Sequence, residues 1–167
     1  MSAQAGGGSE GKALAEDTEI VMRPIGHVRN EVADRKDVSW GNDVSRIVLD
    51  ERYAPGLKGL EGFSHAIILF YLDRAGFDEG KHLQRRPRNR DDMPLTGIFA
   101  QRGKDRPNRI GVTSVAIVSV SGDTLVVKGL DAIDGTPVLD IKPYYPAYDK
   151  KDASVPEWVD RLMERYF

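Results

Sequence analysis

Four polar clusters between Gly97 and Tyr145 each close an apolar run: Gln101-Arg102, Arg106-Pro107-Asn108-Arg109, Asp131, and Asp140-Ile141-Lys142. A core strand needs only alternating or continuous apolar residues. Charges and amides set repeatedly at strand ends, beside Gly and Pro, are what a chain needs to build a pocket on a rigid sheet. Pro107 fixes its own backbone and pushes Arg106 toward an extended conformation, while Asn108 suits a turn. That turn either presents Arg106, Asn108 and Arg109 to an anion or uses Asn108 to latch two loops together. Asp131 stands two residues past a strand-ending glycine with no turn to explain it, and is the better ligand-binding candidate. Asp134-Gly135, by contrast, reads as a tight turn. Asp140 and Lys142 flank Ile141 in an extended segment, so they share one side and are placed to pair.

His65 opens the apolar run Ala66–Leu72. It could serve as a general base, but a histidine at a strand entrance more often caps the preceding turn or satisfies a carbonyl. Ser64 and His65 with some Asp suggest a hydrolase triad only weakly. There is no G-x-S-x-G elbow, and neighbours in a strand point to opposite faces. His27 and His82 are isolated, and no two histidines lie at ligand spacing, so a metal site has little support. The chain has no cysteine, which removes disulfides, thiolate metal sites and a cysteine nucleophile together.

The net charge of −2 hides an asymmetry. From Lys81 to Arg109 there are nine Lys or Arg against three Asp, whereas the rest of the chain carries 15 basic and 23 acidic residues. A basic stripe on an acidic protein points to an anionic partner, phosphate first; the alternative is a solvated loop with no partner. Arg85, Arg86, Arg88 and Arg90 sit in a Pro- and Asn-containing stretch without helical or strand periodicity, which reads as a long mobile loop. We expect Arg85, Arg86 and Arg88 to grip phosphates of such a partner.

The elements that must position these groups are short and mostly β. Strand-like runs cover Ile20–Val28, Ser45–Leu49, Ala66–Leu72, Gly97–Gln101, Ile110–Val120 and Leu125–Gly129, with Val138–Ile141 a further short one. Ser121-Gly122-Asp123 is a hairpin signal. Pro55–Leu60 and Pro156–Tyr166 read as short helices, the second with Pro156 at its first position and Trp158, Leu162 and Tyr166 four apart. Few strands are separated by a crossover helix, so a small, closed, mostly antiparallel β-barrel is expected, with short helices and a long basic loop. At 167 residues there is room for one domain. Residues 1–17 are expected to be a disordered Gly-rich tail, leaving 18–167 as the domain. In that tail Gly6 to Lys12 imitates a phosphate-binding loop, but Ala13 stands at the Ser/Thr position and no strand precedes it. No run is long and apolar enough to span a membrane and no signal peptide is evident, so the cytoplasm is the expected compartment.

LEGFSH at Leu60–His65, GIFAQR at Gly97–Arg102, RPNRIG at Arg106–Gly111 and DGTPVLDIKPYYP at Asp134–Pro146 together resemble the TsaA-like domain. The best-known members of that family are the TrmO-type tRNA methyltransferases. The resemblance covers about Ile20 to Asp149. It implies a single β-barrel that binds S-adenosylmethionine, dimerises around the cofactor site, and methylates N6 of threonylcarbamoyladenosine beside the tRNA anticodon. By position it implies a cofactor pocket of Leu72, Asp73, Arg102, Thr113 and the run Gly129, Leu130, Asp131 and Ala132. Asp73 stands where the family usually has histidine. Methyl transfer from a sulfonium needs alignment of donor and acceptor rather than a metal or a covalent nucleophile, which suits this composition. A threonylcarbamoyl carboxylate would suit Arg106 or Arg109. Two other readings fit the same residues: a methyltransferase acting on a small metabolite, and a non-catalytic RNA-binding barrel.

Overall fold

Alternation decides the sheet. In β2 (Val44–Leu49) Ser45, Ile47 and Leu49 are buried, while Val44 and Arg46 face out. In β3 (His65–Tyr71) Ala66, Ile68 and Phe70 turn inward, and in β7 (Thr124–Lys128) Leu125 and Val127 do so. With β1 (Gly26–Arg29), β6 (Ile110–Ser121) and β8 (Pro137–Pro143) they close a barrel in the order β1-β2-β7-β6-β3-β8, every ladder antiparallel. The barrel is that of a computed structural model, which describes residues 19–34, 40–164 and 166. Val28, Ile47, Ile68, Phe70, Val115, Leu125, Val127 and Val138 fill its interior. Each large apolar side chain removed from water contributes roughly 1.5–3 kcal/mol. The expected fold is therefore the observed one.

Each end of the barrel is stopped differently. At the end where β1 begins and β2 finishes, two 3-10 turns, Glu51–Leu57 and Leu60–Gly62, set Leu57 and Leu60 against the core. Asp50 caps the first of them, its carboxylate accepting from Arg52 N–H at 3.2 Å. Gly59, at φ 91°, breaks the chain between the two, so the expected helix Pro55–Leu60 is a pair of turns instead. At the opposite end β3 and β7 finish, β6 and β8 begin, and Leu130 and Ala132 are buried.

Three expected elements are shorter than their apolar runs. Ile20–Val28 yields strand only from Gly26; Pro24 has no N–H for a ladder, and Ile20, Val21 and Met22 stay exposed. Of Gly97–Gln101 only Gly97 is strand, the second residue of β5 (Thr96–Gly97), after which Ile98–Ala100 turns to bury Ile98. After β8 comes a single helical turn, α2 (Pro146–Asp149), and then the helix α3, Glu157–Met163, with Pro156 at the N-cap rather than inside it and Tyr166 beyond its end. The phosphate-loop mimic and residues 1–17 lie outside the described residues.

The connection from β3 to β6 is more ordered than its lack of sequence periodicity suggests. It folds into a small layer of its own: α1 (Glu79–His82), β4 (Gln84–Arg85) paired with β5, and a turn at Pro87–Asn89 between them. Met93, Pro87 and Ile98 are buried beneath it. The Gln101 amide fastens the layer, donating to the carbonyls of Arg85 at 2.8 Å and Thr96 at 3.1 Å.

Candidate functional site

The first half of β6 has a strand on one side only. Ile110 through Val115 pair with β3, but β7 meets β6 only from Ala116 onward. Beyond Lys128 the chain turns through Gly129, whose φ of 86° favours glycine and whose N–H donates to Asp43 O at 3.0 Å. Leu130, Asp131 and Ala132 then run past Thr113. The Thr113 hydroxyl donates to Asp131 Oδ1, and the Tyr166 hydroxyl donates to Asp131 Oδ2 at 2.5 Å. Arg102 Nη2 donates to Val112 O at 2.5 Å, holding its guanidinium along the same stretch of strand. Leu72 N–H donates to Arg109 O at 2.8 Å just before β6 begins, with exposed Asp73 next to it. Of the eight residues put forward for the cofactor, Thr113 lies on this half-strand, Asp131 and Arg102 are hydrogen-bonded to it, and Leu72 is bonded to the residue before it. Asp73 adjoins Leu72, Gly129 opens the run that carries Asp131, and the side chains of Leu130 and Ala132 are buried in the core.

Two further residues complete the arrangement. The Asn30 amide donates to Ala132 O at 2.8 Å and to the buried Ser45 hydroxyl at 2.9 Å, fixing the far end of the Gly129–Ala132 run. Tyr166 is held by burial first, then by the charge and hydrogen bond of Asp131, with its phenol well above the ordinary range despite Arg88 and Arg102 nearby. It therefore stays a donor. Neither residue stands out in the sequence: Asn30 has no pattern around it, and Tyr166 falls at what reads as one more apolar helix position.

The basic segment is less open than its composition suggests. Arg85 Nη1 pairs with Asp105 at 3.1 Å, and the two side chains are only 19% and 16% exposed. Burial works against the Asp105 charge, but Lys104 and the hydrogen bonds from Arg85 and Gly76 outweigh it and hold its carboxyl below the ordinary value. Arg86 donates to Met93 O. Arg88 lies over the Tyr166 ring, 5.3 Å from its centre, and Arg90 pairs with Asp92 at 2.6 Å. The expected Asn108 latch is not the one observed: the arginines on either side tie the loops instead. Arg106 donates to the carbonyls of Gln101 and Gly103. Arg109 donates to Ala75 O at 3.0 Å and lies over the Tyr71 ring. Asn108 is exposed in the turn.

Other candidates resolve locally. Ser64 Oγ lies 2.9 Å from His65 Nδ1, contrary to the opposite-face expectation, because Ser64 precedes the strand and alternation begins only at His65. Asp140 and Lys142 pair at 2.8 Å, and Asp134-Gly135 forms its turn with Gly135 at φ 83°. Among the described residues no group of three or more His, Asp or Glu could hold a metal ion, and no helix is long and apolar enough to cross a membrane.

Residues 34–150 match the family described as the tRNA-methyltransferase O N-terminal domain. A probable S-adenosyl-L-methionine-binding protein of Pyrococcus abyssi is 35% identical over 151 residues, 87% of this chain and 79% of that protein. The mouse tRNA (adenine(37)-N6)-methyltransferase is 45% identical over 93 residues, 56% of this chain and 21% of the enzyme. The crystal structure of TrmO from P. aeruginosa superposes with a TM-score of 0.70 at 27% identity, covering 87% of this chain. This chain spans 63% of that structure's chain, so the solved relative is the longer protein. Barrel, motifs and relatives agree, and the chain belongs to the tRNA-methyltransferase O N-terminal domain family.

Proposed function

We propose that the protein is an S-adenosylmethionine-dependent methyltransferase whose acceptor is N6 of threonylcarbamoyladenosine beside the anticodon of tRNA. The observation that carries this reading is the convergence of Thr113, Arg102 and the Gly129–Ala132 run on the half of β6 that β7 leaves uncovered. The relatives' names, an S-adenosyl-L-methionine-binding protein and a tRNA methyltransferase, support it.

The donor set fits that cofactor. Asp131 supplies a fixed carboxylate for a cationic or hydroxyl-bearing ligand, and each of its oxygens retains a lone pair after accepting from Thr113 and Tyr166. Gly129 lets the backbone lie close to a ligand. Bound there, S-adenosylmethionine would supply an electrophilic methyl carbon on sulfur. The residues of this chain would hold and orient, which is most of what an in-line displacement asks of a protein. Arg106 and Arg109 would meet the acceptor's carboxylate with the donors their carbonyl bonds leave over. The exposed cations of the basic segment would follow tRNA phosphates.

A homodimer is part of the proposal. Ile110 and Val112 offer apolar surface on the uncovered half-strand, and Phe99, 77% exposed in the turn three residues before Arg102, is placed to add to it where a second copy would enclose the cofactor. We place the reaction in the cytoplasm and assign it to residues 18–167.

Calorimetry with S-adenosylmethionine on the wild type and Asp131→Ala tests the site. The variant should lose about 1–3 kcal/mol of binding, the worth of a buried hydrogen-bonded group. Full-affinity binding by a folded Asp131→Ala would remove Asp131 from the pocket. Mass spectrometry of bulk tRNA from a deletion strain tests the acceptor: unmethylated threonylcarbamoyladenosine should accumulate, and an unchanged tRNA profile would turn the reading to a small-metabolite acceptor.

A further inference from the structure

We infer that Tyr166 is a positioning residue for Asp131, a clasp through which the segment following α3 orients the carboxylate of the candidate cofactor pocket. The inference rests on the cofactor reading above and deepens it. Asp131 lies in a run with no strand partner, so its backbone alone does not settle which way its two oxygens point. Two donors from separate parts of the chain settle it: Thr113 on β6 takes Oδ1, and the Tyr166 hydroxyl, beyond α3, takes Oδ2 at 2.5 Å. A carboxylate gripped at both oxygens has one orientation, which spares a ligand the entropy of ordering it.

Tyr166 is itself anchored, as a positioning group must be. Its carbonyl accepts from Trp40 N–H at 2.9 Å, its N–H donates to Met163 O at 3.0 Å, and Arg88 lies over its ring at 5.3 Å. Trp40 is 3% exposed and leads into β2. The clasp therefore joins the pocket, the entry to β2, the helix α3 and the basic segment through one residue. Its phenol, held protonated by burial and by the Asp131 charge, is a donor across the working pH range.

The test is a double-variant cycle with two readouts on the full chain. Tyr166→Phe removes only the hydroxyl and keeps the ring under Arg88, Asp131→Asn removes the charged acceptor, and the third protein carries both. The first readout is the S-adenosylmethionine dissociation constant. Tyr166→Phe should raise it about tenfold, the loss of one hydrogen bond to a charged group. The double variant should bind no worse than Asp131→Asn alone, because Tyr166 acts through Asp131. The second readout is amide hydrogen exchange over residues 157–164, which needs no ligand. Each single variant should speed exchange there to the same degree, and the double variant no further. Wild-type exchange in Tyr166→Phe, or fully additive effects in the double variant, would overturn the clasp. If the wild type binds no S-adenosylmethionine, the cofactor reading fails, and the exchange series alone decides whether the clasp exists.

Discussion

Asp105→Ala isolates the one well-shielded ion pair in the basic segment. Asp105 accepts from Arg85 at 3.1 Å and from Gly76 N–H at 3.3 Å, with Lys104 Nζ 3.6 Å away. A pair on the open surface is worth about 0–1 kcal/mol, and breaking a fully buried one costs about 3–5 kcal/mol. With both side chains less than one-fifth exposed, this pair lies between those limits, at about 2 kcal/mol. For a domain of this size that lowers the melting temperature by roughly 4–8 °C. The loss should also depend on pH. Because the folded carboxyl titrates below its ordinary value of 3.8, the pair's contribution is fully present above that value and disappears as pH falls through the lower folded one. Thermal unfolding of both proteins at pH 7 and pH 3 is the assay, and the gap between them should narrow at pH 3. A melting temperature unchanged at pH 7, or a gap of equal size at both pH values, would refute the reasoning.

Gly111→Ala should destabilise the barrel by about 1–3 kcal/mol, read from chemical denaturation, because its new Cβ would lie 2.3 Å from the Phe70 ring. A neutral result would mean that the ring has room to move. Arg86→Ala with Arg88→Ala, leaving Arg85 to its structural pair, should weaken tRNA binding and flatten its salt dependence by up to about one unit for each phosphate no longer neutralised. An unchanged slope would remove the segment from the RNA interface. Sedimentation at micromolar concentration should give a dimer, and Phe99→Glu should favour the monomer; a wild-type monomer with and without cofactor would count against the dimer.

What is legible in the sequence is whatever repeats every two residues or turns within four. The alternating faces of β2, β3 and β7, the Gly122-Asp123 hairpin and the Asp140–Lys142 pair all belong to that class. What escapes is decided by partners remote in the chain. The composition of the Arg85–Arg90 stretch says solvent, yet Arg85 turns inward because Asp105, twenty residues on, is brought beside it. Asp131 stands out because no turn explains it, but its partner Tyr166 lies 35 residues away, in a stretch whose periodicity suggests only a helix. Ile20–Met22 has the composition of a strand, and Pro24 decides otherwise.

The ladder that closes the barrel joins Gly26 to Val138, the first and last strands of the wall. During synthesis β1 must therefore wait for 112 further residues to be made before its second edge is covered. At typical elongation rates of about 5–20 residues per second, that wait is about 6–22 s. Until β7, the other neighbour of β2, follows at Thr124, β1 and β2 can form no more than a hairpin, which is marginal alone in water. The nascent chain must then keep two apolar strands from pairing with another polypeptide. Solubility during synthesis should thus depend more on the exposed charges Arg29 and Arg46, opposite each other on those strands, than folded-state stability does.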